Sequence, residues 1–231
     1  MSVSKGQVIM ADGHSTALLN LFKIRPDQQY SFLELQIEQT RRFRIHRPGF
    51  ISSAFHRSLD GTRLLNFAFW ERAEDVAAAR QSDAFRGHLG RLDAFDYENE
   101  MHLYEIVAVY DEGRPPQMAV DDGLVINAAF FRTDTDAKMT LSVRLIDKLT
   151  AALSERWPEQ LQSATVLKGL DGKNLAIYLQ WHRGKPAVEV SALALAHLGI
   201  VPIGLGAVPY DECVYEVVDV SFAHPEPTAR G

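Results

Sequence analysis

The sequence predicts an α+β protein that consists of two copies of one unit, arranged in tandem. Two kinds of observation support this: short motifs recur in the same order along the chain, and each copy shows the same succession of strand and helix patterns. The motifs recur as follows: residues 59–64 (LDGTRL) as 170–175 (LDGKNL), Trp70 as Trp181, Arg72 as Arg183, Tyr104-Glu105 as Tyr215-Glu216, all shifted by 111 residues, then residues 88–90 (HLG) as 197–199, shifted by 109, and Asn20 as Asn127, shifted by 107.

The first half of the unit reads as a strand, a helix and a hairpin. Residues 16–24 are apolar and predict a strand, and Pro26-Asp27 begins a helix that runs to about His46, with apolar residues at helical spacing. Pro48-Gly49 ends that helix. Strands follow over 50–59 and 62–71, joined by Asp60-Gly61, because Asp-Gly favours the tight turn of a β-hairpin.

The second half of the unit adds helix and strand. Residues 73–80 predict a helix with acidic residues in its first turn, and a second helical piece extends to about Leu92. Residues 102–110 predict the last strand. The order β-α-β-β-α-β is the ferredoxin-like, split-βαβ pattern.

The second copy repeats the pattern. A strand begins at Leu124, helices are expected at about 136–157 and 187–197, and the last strand covers 212–222. We therefore divide the chain into a first domain at 16–110, a linker at 111–122 and a second domain at 123–222. The lead 1–14 and the tail 224–231 are expected to be disordered.

The third strand, residues 64–70 (LLNFAFW), is apolar on both faces. A four-stranded sheet with its helices on one side needs only one apolar face, so something else must cover the other. We expect the two sheets of the chain to pack face to face. The alternative is that a second chain supplies the cover in a homodimer.

Strand alternation places one set of residues beneath the predicted helices. These residues are Asn20, Phe22, Ser53, Phe55, Asn66 and Trp70. A buried amide without partners costs about 1–3 kcal/mol, so the two asparagines need an explanation. Each could bond a helix end or a loop, but two amides among aromatic residues favour a ligand pocket. The same alternation along the hairpin places His56 on the opposite face of the sheet, toward the second sheet.

Three segments resemble the antibiotic biosynthesis monooxygenase family: residues 48–52 (PGFIS), 56–61 (HRSLDG) and 66–70 (NFAFW). The resemblance is best over 16–110 and fainter over 124–222. It implies a ferredoxin-like fold whose sheets pair as a dimeric α+β barrel. Asn66 and Trp70 resemble the pair implicated in anthrone-type oxygenases of aromatic polyketide pathways, and Asn20 resembles the first-strand asparagine of the same site.

The resemblance implies an oxygenase that acts on an anthrone-like or angucycline-like polyketide with O2 as co-substrate. Catalytic roles then go to Asn20, Asn66 and Trp70, and substrate contacts to Phe22, Ser53, Phe55 and His88. Neither a metal nor a tightly bound cofactor is expected. Tandem members also resemble ring-opening oxygenases that use reduced flavin (FADH2 or FMNH2) from a separate reductase, so this requirement stays open. His88 is also the candidate general base, although its position on the second helical segment favours a partly exposed helix histidine.

The second copy lacks part of this pattern, because Ile177 stands where the first copy has Asn66. We therefore expect one working site per chain, in the first domain. Two other functions stay open. The first is a polyketide-binding or assembly protein without activity. The second, a haem-degrading enzyme, would need a histidine about ten residues after Trp70, where Arg80 stands.

Composition limits the other possibilities. The net charge of −6 disfavours a nucleic-acid partner, and no apolar run is long enough to span a membrane. The histidines are scattered without metal-ligand spacing. Cys213 has no cysteine partner in the chain and is expected to be buried in the last strand. We expect a cytoplasmic protein, either a monomer with an internal pseudo-twofold axis or a homodimer.

Overall fold

A computed structural model describes residues 8–9, 15–111, 117–118, 120, 124–133, 143–144, 147–148, 151, 161–182 and 207–223. Eight long strands form one closed antiparallel barrel, and the helices of the first repeat pack on its outside. The predicted α+β class and the pairing of two ferredoxin-like sheets are confirmed.

The elements follow the predicted order in the first repeat. The strands and helices are β1 (Val8–Ile9), β2 (Thr16–Ile24), α1 (Gln29–Arg42), a 3-10 turn (Arg44–His46), β3 (Phe50–Ser58), β4 (Arg63–Trp70), α2 (Ala73–Arg80), α3 (Asp83–Leu92), β5 (Tyr97–Asp111), β6 (Gln117–Met118), β7 (Leu124–Thr133), β8 (Leu161–Gly169), β9 (Asn174–His182) and β10 (Ala207–Phe222). The helices expected at about 136–157 and 187–197 fall largely or wholly outside the described residues, as does the tail 224–231.

The barrel closes because the last strand of each repeat pairs with both repeats. The first part of β5 pairs with β2, and from Tyr104 onward β5 pairs with β8 of the second repeat. In the same way β10 pairs first with β7 and then, from Tyr215 onward, with β3. Tyr104 and Tyr215 are equivalent in the repeat, and each is fully buried where its strand changes partner. The two repeats therefore share their hydrogen-bonded sheets.

The barrel interior is one apolar core built from both repeats. Leu65, Phe67 and Phe69 of β4 meet Tyr178 of β9 there, and the rings of Phe67 and Tyr178 lie 5.3 Å apart. This confirms that the second repeat covers the inner face of the first sheet. His56 also points inward, as its parity predicts, and its Nε2 lies 2.7 Å from the Tyr178 hydroxyl. Burial lowers the pKa of His56 to about 4.

Two ion pairs also join the repeats, one with its cation in the first repeat and one with its cation in the second. Arg63 of the first repeat bonds Asp211 of the second at 2.8 Å, and Lys168 of the second bonds Glu105 of the first at 2.8 Å. The side chain of Asp211 has no exposed area.

The structure differs from the sequence prediction at several ends. The last strand of the first repeat begins at Tyr97 and not at about 102, because its first part completes the pairing with β2. Val8 and Ile9, within the lead that was expected to be disordered, pair with Met118 and Gln117 of the predicted linker as a short two-stranded ribbon. The first helix ends at Arg42 and continues as a separate 3-10 turn.

Candidate functional site

Two asparagines face each other on the helix-covered side of the first sheet. Asn20 on β2 lies directly opposite Asn66 on β4, and Phe55 on β3 lies opposite Asn66. Directly opposed residues in antiparallel strands have Cβ atoms about 4.5–5.5 Å apart, so the two amides are neighbours. Ser53 pairs with Ala68 as predicted, but Ile51 does not face Trp70, because a bulge between Phe50 and Ser52 places Phe50 there.

The two amides are only partly satisfied. The Ser53 hydroxyl donates to Asn66 Oδ1 at 2.9 Å, which orients the amide and leaves Asn66 Nδ2 buried without a partner. Asn20 Oδ1 is also buried without a partner. Among the described residues the pair therefore offers a free donor and a free acceptor side by side. Unpaired groups of this kind destabilise a fold unless a ligand or water completes them.

Trp70 lies four residues along β4 from Asn66, on the same face. With a strand rise of about 3.3 Å per residue, the two side chains originate about 13 Å apart. The Trp70 indole packs edge-on against Phe50, with ring centres 5.2 Å apart, and its Nε1 is buried without a hydrogen-bond partner. Between Asn66 and Trp70 lies the small, fully buried Ala68, which packs in one cluster with Leu18, Trp70 and Val76.

An open cavity of about 120 Å³ lies between this sheet and the helices. Its floor comes from β2, β4 and β5, and its walls come from the end of α1, the 3-10 turn, α2 and α3. The lining residues are Leu18, Asn20, Gln39, Phe43, Arg44, Arg47, Trp70, Val76, Ala79, Arg80, Ser82, Ala84, Phe85, Leu89, Asn99 and Met101. Apolar and aromatic walls with a few polar groups are typical of small-molecule sites.

The structure brings some of the predicted site residues to this cavity and not others. Asn20 and Trp70 line it, while Asn66 and Ser53 lie in the fully buried layer beside Asn20. Phe22 and Phe55 belong instead to an adjacent apolar cluster around Phe32, with the rings of Phe22 and Phe32 5.1 Å apart. Those two phenylalanines therefore support the sheet beside the site.

His88 does not line the cavity. Its side chain is 5% exposed, and its Nε2 lies 3.3 Å from Gln36 Oε1 on α1. Burial is the largest cause that lowers the pKa of His88 to about 4, and the nearby Arg44 and Arg91 lower it further. The histidine is therefore neutral at pH 7 and bonded between helices. It is neither an exposed helix residue nor a wall of the cavity.

Three arginines of the lining were not predicted. Arg44 and Arg47 follow the end of α1, and Arg80 ends α2. Residues 41–47 (RRFRIHR) contain four arginines and no acidic residue, and this run was the available signal. Gln39 and Phe43, on the last turn of α1 and just after it, were also missed as lining residues.

The second repeat has neither of the two asparagines, Asn20 and Asn66, at the equivalent positions. Trp70 pairs with Thr16, and its equivalent Trp181 pairs with Val125, so Ala129 occupies the place of Asn20. Pairing with the last strand agrees, since Met101 lies opposite Asn20 and its equivalent Glu212 lies opposite Ala129.

Asn127 therefore corresponds to Leu18, and its sequence alignment with Asn20 was wrong. The Ser53–Asn66 pair becomes Ala164 and Ile177.

Metal chemistry finds no support in the described part of the chain, where no three His, Cys, Asp or Glu side chains cluster at ligand distances. Within the same residues, no helix is long and apolar enough to cross a membrane. Cys213 is buried in β10, as expected.

Comparison with known proteins places the first repeat in a family. Residues 16–90 match the model of the antibiotic biosynthesis monooxygenase family. Tetracenomycin-F1 monooxygenase of Streptomyces glaucescens is 31% identical over 80 residues. That match covers 35% of this chain and 66% of the relative, a little under two thirds of its length.

Solved structures of similar length share the complete fold. An anthrone oxidase-like protein superposes with a TM-score of 0.71 at 20% identity, covering 97% of this chain and 99% of its own. A protein of Fusobacterium nucleatum superposes with a TM-score of 0.61 at 7% identity, covering 92% and 96%. At these identities the likeness shows the fold alone. Residues 16–90 are therefore similar to the antibiotic biosynthesis monooxygenase family, and the chain as a whole shares the fold of these structures.

Proposed function

We propose that the chain is an oxygenase of an aromatic polyketide, with one working site in the first repeat. The observation that carries the proposal is the neighbouring amides of Asn20 and Asn66 beside an aromatic cavity, each with a buried polar atom that has no partner. The name of the Streptomyces glaucescens relative supports an oxygenation reaction. An anthrone-like substrate fits the chemistry of the site, because it is flat, apolar and acidic at the CH2 group that lies across the central ring from its carbonyl.

The reaction follows from that acidity. Loss of a proton from the CH2 group opposite the anthrone carbonyl gives an enolate. The enolate passes one electron to O2, and the resulting radical and superoxide combine to form a C–O bond as a peroxide. Loss of the remaining C–H proton with cleavage of the O–O bond gives a ketone and water. One anthrone and one O2 thus become one quinone and one H2O, and no external reductant is consumed.

The amides would supply the electrostatic part of catalysis. An N–H donor held in a dry site stabilises a developing oxyanion strongly, because it needs no reorientation when the charge appears. Asn66 Nδ2 is such a donor, held in place by the bond from Ser53. Asn20 lies at the cavity wall beside it and would contact the substrate directly. The rigid sheet under both residues keeps their geometry fixed.

Trp70 would contact the other end of the substrate. Its indole is fixed by Phe50 and its N–H is free, so it can wall the ring system and donate to a substrate or peroxide oxygen. The ring system would lie on the cavity floor between Asn20 and Trp70, against Leu18 and Met101. His88 faces Gln36 outside the cavity, so no role as a base at the substrate is given to it.

Oxygen uptake tests the proposal. Purified protein is mixed with dithranol, a model anthrone, in an oxygen electrode, and the rate above autoxidation is measured with and without reduced FMN. We expect enzyme-dependent uptake of one O2 per quinone formed without flavin, and loss of the rate in Asn20→Leu and Asn66→Leu. Uptake only with reduced flavin would assign a flavin-dependent oxygenase, with a separate reductase as its partner.

The alternative is a carrier or assembly protein of the same fold, in which the cavity binds a polyketide without oxidising it. Binding of dithranol under nitrogen, together with no uptake under either condition in air, would favour this function and contradict the oxygenase. The binding measurement is therefore made on the same preparation before air is admitted.

A further inference from the structure

The wall of the cavity opposite the amides carries positive charge without a counterion. Arg44, Arg47 and Arg80 line the cavity, and no aspartate or glutamate is among its lining residues. The chain as a whole has the opposite balance, with 30 acidic and 24 basic residues. A cationic cavity in an acidic protein is a local feature that the average composition does not produce.

The other arginines of the described chain are mostly paired. Eight of them have a carboxylate within 4.0 Å: Arg25, Arg41, Arg42, Arg57, Arg63, Arg86, Arg91 and Arg132. Within the same described residues, Arg44, Arg47 and Arg80 have no such carboxylate. Arg72 and Arg144 also lack one, but both are exposed and lie outside the cavity lining, so what distinguishes the cavity is that three such arginines meet there.

Arg44 is the one with a buried charge. Its Nη1 is buried without a hydrogen-bond partner, and its Nη2 donates only to Gln39 Oε1, at 3.4 Å. Burial lowers the pKa of Arg44 to about 10, so the guanidinium stays charged at neutral pH. A buried charge without a counterion is unfavourable, so Arg44 presents an unsatisfied cation to the cavity. An anion that enters the cavity removes this penalty.

We propose that the substrate carries a carboxylate, which pairs with Arg44 while the ring system lies on the apolar floor toward Asn20 and Trp70. This rests on the proposed function and narrows it to acidic aromatic polyketides. The guanidinium presents a planar fork that matches a carboxylate with two parallel hydrogen bonds. Arg47 and the exposed Arg80 add positive potential beside it, which attracts an anionic substrate.

The anion that pairs with Arg44 has a second candidate, the phosphate of reduced FMN. Two matched ligand pairs distinguish the sources. Rhein is a dihydroxyanthraquinone carboxylic acid, and aloe-emodin is the same ring system with a hydroxymethyl group instead. FMN and riboflavin differ only in the phosphate. All four ligands are stable in air and cannot be oxidised at an anthrone carbon, so their binding does not depend on whether the protein is an oxygenase.

The experiment measures dissociation constants for the four ligands by calorimetry at neutral pH. Wild-type protein is expected to bind rhein about tenfold or more tightly than aloe-emodin, since a charge-assisted pair contributes at least that factor. In Arg44→Gln the two affinities are expected to become equal within about threefold, while aloe-emodin affinity changes little. The matched control is Arg72→Gln, which removes an exposed arginine outside the cavity and should preserve the preference.

Equal affinity for rhein and aloe-emodin in the wild type overturns the proposal, and this comparison needs no variant to fold. Preference for FMN over riboflavin without preference for rhein also overturns it, because the anion is then the cofactor's phosphate. A rhein preference that Arg44→Gln abolishes supports it even if no oxygen uptake is found, in which case only the oxygenase function fails.

Discussion

Two substitutions give the first repeat the residues that the second repeat has at the positions of Ser53 and Asn66. The double variant Ser53→Ala/Asn66→Ile installs the arrangement that Ala164 and Ile177 have in the second repeat. If the amides are kept for function and not for stability, this variant is inactive and more stable than the wild type. The comparison is internal to the chain, because both sets of residues are tolerated by the same barrel.

The magnitude follows from the hydrogen bonds of Asn66. Removal of its unpartnered, buried Nδ2 is worth about 1–3 kcal/mol, and loss of the bond from Ser53 costs about 1 kcal/mol. Isoleucine also suits a buried strand better than asparagine. The net gain is about 1 kcal/mol, which corresponds to a rise in Tm of about 2–4 °C for a chain of this length.

Thermal unfolding of wild type and variant in the same buffer measures this gain, and oxygen uptake with dithranol measures the loss of function. A Tm that falls by several degrees would refute the reasoning, since the amides would then be part of what holds the sheet together. Ser53→Ala alone is the control: it removes the bond and leaves the Asn66 amide, so its Tm should fall.

Two other perturbations test the packing of the first repeat. The pKa of His56 in the folded protein is about 4, below its unfolded value of 6.5, so acid favours the unfolded chain; stability should fall by about 2 kcal/mol per such histidine between pH 7 and 5. The contribution of His88 has the same sign. In His56→Gln the loss of unfolding free energy between pH 7 and 5, measured by urea unfolding, should therefore be smaller but still present. An unchanged loss would contradict the lowered pKa of His56. Gly49 has φ of +75°, and a Cβ there would lie 2.2 Å from Asp75 Oδ2, so Gly49→Ala should destabilise by about 1–3 kcal/mol. Gly90→Ala, in an open helical position, should stabilise slightly, and equal effects of the two substitutions would refute the steric argument.

The fold was predictable from the sequence because duplication leaves a visible record. The Asp-Gly turns fixed the hairpins, and Gly61 and Gly172 both adopt positive φ there, as this turn requires. The doubly apolar β4 then required a second sheet. The sequence did not predict that β5 pairs with β8 and β10 with β3, each in the other repeat, because backbone pairing between strands leaves no pattern in the side chains. β5 is longer than predicted because its first part, from Tyr97, pairs with β2 of its own repeat.

Only the part of the candidate site that lies on the sheet was predictable from the sequence. Alternation along a strand gives the face of each residue, so Asn20 and Asn66 were placed together from the sequence. One insertion defeats the same logic, as the bulge after Phe50 shows for Ile51. The spacing that aligned Asn127 with Asn20 failed for a similar reason: a two-residue difference in spacing keeps the face but moves the residue along the strand.

The walls of the cavity were not predictable by alternation. Arg44, Arg47 and Arg80 reach it from a 3-10 turn, a connection and a helix end, whose directions depend on tertiary packing. His88 illustrates the same difficulty in reverse, since its helix turns it toward Gln36 and not toward the substrate. Local sequence could indicate a basic segment, but not that its charges converge on one cavity.

The central claim is that one repeat works and the other supports it, and a matched pair of tryptophans tests this most directly. Trp70 and Trp181 are equivalent, both are buried, and the Nε1 atoms of both lack a partner among the described residues. The measurement is enzyme-dependent oxygen uptake with dithranol by Trp70→Phe and Trp181→Phe, after their Tm values are shown to be similar. The account predicts a loss of about tenfold or more for Trp70→Phe, as expected when a placed donor is removed, and a rate within about twofold of wild type for Trp181→Phe. A loss in Trp181→Phe with Trp70→Phe unaffected would contradict the account.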